Sequence, residues 1–218
     1  MKNIYTKIIS LNKENYLAGK KLKTMLSLFR NFKFQNFYLF DIINCGAPRS
    51  GSTVLNILIN KIILLKISNS DSYCNNETDY ISKLQMTDRL HLSKTHVYSH
   101  LIAKRIIDKQ SIGFFTHRDI RDVIVSYLQK GWIKNVDEFI NGSKIKYYTF
   151  DAILYAKTKN MTIISYEDLI HNRKDIIKLI ALKLDVTLSS NELNEIYRKS
   201  SVDYVANMMN KLTYSKGN

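Results

Sequence analysis

Apolar positions along the chain switch repeatedly between the period of a strand and that of a helix. Residues 37–43, Phe-Tyr-Leu-Phe-Asp-Ile-Ile, form a β-prone run. After a glycine-punctuated stretch, Val54 to about Lys66 is apolar on nearly every face, which predicts a helix sandwiched between a sheet and a further layer. Residues 68–80, rich in Ser, Asn and Asp, read as a mobile surface loop. A short strand is expected from His91 to Thr95, a helix from Ser99 to Asp108, and a strong strand over Ile112–Thr116. Asp119 and Asp122 fit the N-cap and third positions of the next helix, whose apolar face is Ile120, Val123, Ile124, Tyr127 and Leu128; Gly131 ends it. Aromatic-rich helical segments follow from about Val136 to Lys159, then a strand over Met161–Ser165, then helices. This alternation predicts an α/β fold: three α/β/α layers around a mostly parallel central sheet, with ligands beyond the carboxyl ends of the strands.

The first 36 residues stand apart. They carry eight basic side chains against the single acid Glu14, half of the chain's net charge of +14. Leu22, Met25, Leu26 and Phe29 fall at helical spacing, so the segment reads as a basic amphipathic helix that packs on its own domain or touches a membrane surface peripherally. The expected organisation is this segment over 1–36 and one domain over 37–218, large enough to fold without disulfides or metal. Two cysteines and no secretory layout at the N-terminus point to a reduced, cytoplasmic setting. The longest apolar run, Val54 to Ile67, is broken by Asn56, Asn60, Lys61 and Lys66 and is too short to span a bilayer. The basic balance admits an anionic partner, but Lys, Asn and Ile are abundant throughout and no nucleic-acid reading motif is present.

The chemistry concentrates in Cys45-Gly46-Ala47-Pro48-Arg49-Ser50-Gly51-Ser52-Thr53, which holds the chain's only proline. Two glycines four residues apart, followed by a hydroxyl pair, reproduce the spacing of a nucleoside-triphosphate phosphate loop, except that Ser52 stands where that loop has its lysine. Backbone N–H groups of such a loop, with the N-terminus of the helix it opens, bind an anion, and Arg49, Ser52 and Thr53 add charge and hydrogen bonds. The site is phosphate-loop-like, but built for something other than a γ-phosphate.

Pro48-Arg49-Ser50-Gly51-Ser52-Thr53 resembles the 5′-phosphosulfate loop of sulfotransferases that use 3′-phosphoadenylyl sulfate (PAPS), with Arg in place of the more familiar Lys. Three further segments, in order, resemble the same family. Arg118 at a strand end, with Ser126 eight residues on, is similar to its 3′-phosphate motif; without the resemblance, Arg118 pairing with Asp122 is the simpler reading. Lys94-Thr95-His96 is similar to the Lys-Thr-His segment of the cytosolic branch, whose His deprotonates the acceptor hydroxyl. Ser165-Tyr166-Glu167-Asp168-Leu169 resembles the segment whose Tyr borders the adenine, with Glu167 and Asp168 starting a helix.

The resemblance implies a cofactor site of Arg49, Ser50, Gly51, Ser52, Thr53, Arg118, Ser126, Tyr166 and Ser200, the last through Ser200-Ser201-Val202-Asp203 at the adenine edge. It implies in-line sulfuryl transfer to a hydroxyl or amine without a metal. His96 acts as base, Lys94 and Arg49 stabilise charge, and Ser126 restrains Arg49 before the acceptor arrives. His91, His96 and His100 read poorly as metal ligands, since they straddle a strand-to-helix boundary. Val54 replaces the Trp that often stacks on adenine, and the family's late Arg-Lys-Gly stretch has no clear counterpart, leaving Arg198-Lys199 or the N-terminal segment as substitutes. Two other readings share the pattern: a phosphate-loop kinase or NTPase, disfavoured by Ser52, and a cofactor- or polyanion-binding protein that has lost turnover. The acceptor is expected to be a small molecule, a lipid or a carbohydrate. Its pocket is expected to draw on residues 68–90 and on Trp132, Phe139, Tyr147, Tyr148 and Phe150, although aromatics at helical spacing belong to a core more often than to a pocket.

Overall fold

Among the described residues, five strands, every pairing parallel, form the centre of the computed structural model, in the order β2-β3-β1-β4-β5. It describes residues 41–65, 69–85, 90–201 and 204. The amphipathic segment expected over 1–36, and the start of the run at 37–40, lie outside the described residues.

The strands are β1 (Asp41–Gly46), β2 (Asn69–Tyr73), β3 (Leu90–Thr95), β4 (Ser111–His117) and β5 (Thr162–Ser165). Helices α1 (Ser52–Leu64), α2 (Glu77–Gln85), α3 (His100–Ile107) and α4 (Ile120–Gln129) follow the first four strands in turn. Between β4 and β5 the chain also forms α5 (Val136–Ile140), a 3₁₀ turn (Ser143–Ile145), a π-helical turn (Tyr147–Asp151) and α6 (Ala152–Ala156). Then α7 (Tyr166–His171), α8 (Arg173–Lys183) and α9 (Ser190–Arg198) follow β5.

Alternation along the buried strands feeds two layers. Ile42, Leu92, Phe114 and Ile164 pack with α1, α8 and α9 on one face, while Ile43, Cys45 and Phe115 pack with α3, Tyr80 and Tyr155 on the other. This explains why α1 is apolar nearly all round: it lies against the sheet and against α8 and α9. A third cluster, Val123, Tyr127, Ile133 and Phe139, joins α4 to α5.

The expected surface loop over 68–80 is corrected. Asn69–Tyr73 is the edge strand β2, paired to β3, and Glu77 begins α2. An edge strand needs only its backbone ladder on one side, so a run of Ser, Asn and Asp is compatible with it and carries no hydrophobic signature. Asp119 accepts from the Arg121 N–H at the start of α4, as its N-cap position predicts, and Glu167 and Asp168 lie in the first turn of α7, where Ser165 accepts from the Asp168 N–H. Gly131, at φ 65°, follows α4 in a left-handed turn.

Candidate active site

The sheet order does most of the assembling. β1 lies between β3 and β4, with Cys45 opposite Thr95 and Gly46 opposite Thr116. The loop after β1, the Lys94-Thr95-His96 segment and Arg118 therefore share one edge, though far apart in sequence.

The loop is shaped from below. Ser50 Oγ donates to Ala47 O at 2.6 Å and shares a 2.8 Å hydrogen bond with Thr116 Oγ1. A Cβ at Gly46 would lie 2.1 Å from Thr116 Oγ1, so only glycine lets β4 approach here. Gly51, at φ 92°, packs so closely on Tyr166 and Leu169 that a Cβ would meet both at 2.9 Å. Arg49 itself has φ 68°, a left-handed backbone that strains a side-chain-bearing residue. Asn44 Nδ2 donates to Ser52 O at 2.7 Å, fixing the start of α1 to β1. Tyr148 hydroxyl donates to Pro48 O from above. Thr116, Asn44 and Tyr148 carry no motif in the sequence; only the fold brings them to the loop.

The first turn of α1 has no side-chain cap and no acidic residue, whereas Ser99, Asp119 and Ser189 cap α3, α4 and α9. Its N–H groups and the positive end of its dipole thus face the loop without an internal acceptor, an anion site. Lys94 Nζ donates to Thr53 Oγ1 at 2.9 Å. The cation absent from position 52 is supplied across the sheet from β3.

His96 Nδ1 hydrogen bonds to Gly46 O. A carbonyl only accepts, so Nδ1 carries the proton and the lone pair of the neutral ring lies on Nε2. Burial pushes the imidazole down to about 4; the Gly46 carbonyl opposes this and the Lys94 charge adds to it. The ring packs beside Tyr73, with centroids 5.5 Å apart. Tyr155 hydroxyl donates to Val97 O at 2.9 Å and steadies the turn that carries His96.

Arg49 Nε donates to Ser126 Oγ at 2.8 Å, and its guanidinium lies over Trp132, 5.4 Å from the ring centroid. Arg118 stacks on Tyr166 at 4.0 Å and approaches Asp122 at 3.7 Å, while its Nε is buried without a hydrogen-bond partner. A pocket between the loop, the end of β4 and the π-turn is lined by Ala47, Thr116, His117, Arg118 and Tyr148. Ser200 is not brought to the loop: it is fully buried and its hydroxyl bonds to Ile196 O at 2.7 Å. Lys199 pairs with Glu195 at 2.6 Å. Of the aromatics, Phe139 is core, whereas Trp132 and Phe150 are exposed. Among the described residues no group of His, Cys, Asp or Glu is placed to hold a metal, and no helix is long and apolar enough to cross a membrane.

A parallel α/β sheet with an uncapped helix behind a glycine-flanked loop, reached by Lys94 through Thr53, has the strand-loop-helix form that suits an anionic group. The chain belongs to the sulfotransferase family: the sulfotransferase domain model matches residues 39–217. Its fold is similar to that of mouse sulfotransferase SULT7A1 complexed with PAP (TM-score 0.61, 17% identity, covering 84% of this chain and 70% of that one). It is also similar to retinol dehydratase in complex with androsterone and the inactive cofactor PAP (TM-score 0.57, 16% identity, 75% of this chain and 65% of that one). A retinol dehydratase complex with retinol and PAP matches at a TM-score of 0.54 and 16% identity, with the same coverage. No curated protein sequence matches the chain.

Proposed function

We propose that the protein transfers a sulfuryl group from PAPS to a hydroxyl or amine of a small-molecule, lipid or carbohydrate acceptor. The observation that carries this reading is that Lys94 meets Thr53 at the uncapped start of α1 and His96 meets Gly46 O at the head of the same loop, with Arg49 of that loop held by Ser126 and Arg118 Nε lacking a hydrogen-bond partner. The loop from Arg49 through Ser50, Gly51, Ser52 and Thr53 holds the phosphosulfate by backbone N–H groups and hydroxyls. Arg118 takes the 3′-phosphate with Ser126 nearby on α4, and Tyr166 borders the adenine; Ser200 retains its adenine-edge role on the sequence resemblance alone.

In this mechanism His96 Nε2 takes the proton of the acceptor, whose oxygen or nitrogen attacks sulfur in line with the bridging oxygen. The new bond to sulfur forms as the S–O bond to the nucleotide breaks, leaving adenosine 3′,5′-bisphosphate. Lys94 and Arg49 stabilise the charge that grows on the sulfuryl oxygens and the departing bridge oxygen. The low pKa of His96 keeps it neutral, hence a competent acceptor of a proton, throughout the neutral range. The Arg49–Ser126 hydrogen bond holds the arginine until an acceptor is in place. Cys45 and Cys74 are buried and not joined in a disulfide, which suits a cytoplasmic setting.

Titration calorimetry and an extract assay test the reading together. Adenosine 3′,5′-bisphosphate without metal should bind more tightly than ATP with Mg²⁺, and isotopically labelled PAPS should label discrete products in cell extract. Tighter ATP–Mg²⁺ binding would favour a nucleotide kinase, and bisphosphate binding without any transfer a protein that has lost turnover.

A further inference from the structure

Arg49 is the only charged residue between Cys45 and Thr53. A guanidinium offers an Nε–H at one edge, two terminal nitrogens at the other, and a flat π-face. At Arg49 the Nε–H is given to Ser126 Oγ at 2.8 Å, and the guanidinium carbon lies over the Trp132 ring, 5.4 Å from its centroid. Among the described residues the two terminal nitrogens make no hydrogen bond and no ion pair. The cation is thus held from two sides while its remaining donors stay open.

Trp132 is itself fixed. Gly131 turns the chain just before it at φ 65°. The Trp132 N–H donates to Tyr127 O at 3.0 Å, and Trp132 O accepts from Lys144 Nζ at 2.6 Å. The indole meets the Tyr127 ring edge-on, with centroids 5.2 Å apart, and Tyr127 belongs to the buried cluster of Val123, Ile133 and Phe139. Yet Trp132 remains 49% exposed, so burial accounts for only part of its placement. Its contact with Arg49 supplies a second reason.

We infer that Trp132 is a positioning residue for Arg49: with Ser126 it fixes the guanidinium, so that the terminal N–H groups are already in place for the anion that the loop binds. The ordering of a long, flexible side chain is then completed by folding instead of at the moment of binding. A lysine could not be held in this way, because an ammonium has no separate edge and face. Trp132 therefore serves the cation rather than the wall of an acceptor pocket. The inference rests on the sulfotransferase reading above, in which Arg49 stabilises the charge that grows during transfer.

A double-mutant cycle tests it, with labelled PAPS and the main acceptor that labelling of cell extract identifies. Trp132→Leu should lower kcat/KM for PAPS about 2- to 5-fold, the range for a half-exposed cation–π contact, and Trp132→Phe should recover most of the loss. In an Arg49→Met background, Trp132→Leu should cost nothing further. An equal loss in both backgrounds, or an effect confined to KM for the acceptor, overturns the inference.

Trp132 is also the chain's only tryptophan, so its fluorescence reads the contact without turnover. Emission of the free protein should differ between wild type and Arg49→Met, and saturating adenosine 3′,5′-bisphosphate should shift it in wild type alone. Emission indifferent to Arg49, beside normal sulfuryl transfer, overturns the inference and leaves the parent reading intact. Arg49-dependent emission and bisphosphate binding without any transfer overturn the parent reading and leave Trp132 as the residue that positions Arg49 for an anion. No bisphosphate binding at all overturns both. The fluorescence comparison keeps Trp132 in place, so it decides the matter even if Trp132→Leu folds poorly.

Discussion

The two ends of β1 carry polar clusters of opposite kinds. At the first residue, Asp41 is fully buried and receives hydrogen bonds from Tyr80, from Ser111 and, at 2.8 Å, from Arg105. Arg105 Nε in turn donates to Ser111 Oγ at 3.1 Å. Both carboxylate oxygens are matched by side-chain donors. Around the last residue, Gly46, the site is left open: the start of α1 has no cap, and Arg118 Nε, 3.7 Å from Asp122, has no hydrogen-bond partner. A closed cluster holds strands and helices in place, because every buried polar atom already has its counterpart. An open one is paid for by the fold and recovers that free energy only when a ligand completes it.

The comparison can be broken from either end. The largest effect is expected at the open end: His96→Ala should lower kcat for sulfuryl transfer by about 10²- to 10⁴-fold, the range for loss of a general base. Thermal melting and bisphosphate binding should persist, and full activity would remove His96 from the reaction. At the closed end, Arg105→Leu leaves the Asp41 carboxylate buried without its cation and should destabilise the fold by about 3–5 kcal/mol in urea unfolding. Bisphosphate affinity per folded molecule should then be unchanged. A variant that kept its stability and lost the ligand would reverse the roles of the two clusters.

Arg118→Ala comes next, with bisphosphate affinity falling about 10- to 100-fold, as for loss of a charge-assisted bond to phosphate. An unchanged urea midpoint is expected, because the Arg118–Asp122 pair is half in solvent and of little consequence for folding.

The smallest effect is one of pH. With His96 held down to about 4 by burial, kcat/KM should stay level from neutrality to about pH 5 and fall on an acid limb near pH 4. The imidazole's ordinary value is near 6.5, so the fold favours the neutral ring. Its contribution to stability is complete above pH 6.5 and is lost as pH falls towards 4, which urea midpoints across that interval measure. An acid limb at 6.5 would mean that the ring is solvated in the working enzyme.

Much of the open end is legible in the sequence. Gly46, Gly51, Ser52 and Thr53 are contiguous or nearly so, and the apolar periods on either side place them between a strand and a helix. Arg118 and Ser126 sit on a strand end and on the helix after it, where the capping residues Asp119 and Asp122 announce the boundary. The closed end is not legible. Asp41, Tyr80, Arg105 and Ser111 are scattered over four elements or their borders, and each by itself reads as an ordinary surface residue. The edge strand β2 is hidden for a related reason: its pairing is a property of the backbone, and Asn69–Tyr73 shows no alternation to betray it. Tyr148 lies in a stretch whose aromatics fit a core as well as a pocket, and a π-turn has no period that a helical pattern reveals.

Local chemistry by itself determined that this chain carries an anion loop between a strand and a helix, which residues end the later strands, and that the chain is an α/β protein. Those are properties of spacing and of residue type, and they survive without knowledge of what lies alongside; the sulfotransferase reading came from the resemblance of four motifs to that family. Only the tertiary structure decided that Lys94 reaches the start of α1 through Thr53, that Gly46 O sets the His96 tautomer, and that Tyr148 closes on Pro48 O. Each of these depends on the order β3-β1-β4 or on a helix folded back over the sheet, and such neighbours across the chain leave no trace in the sequence around any one of them.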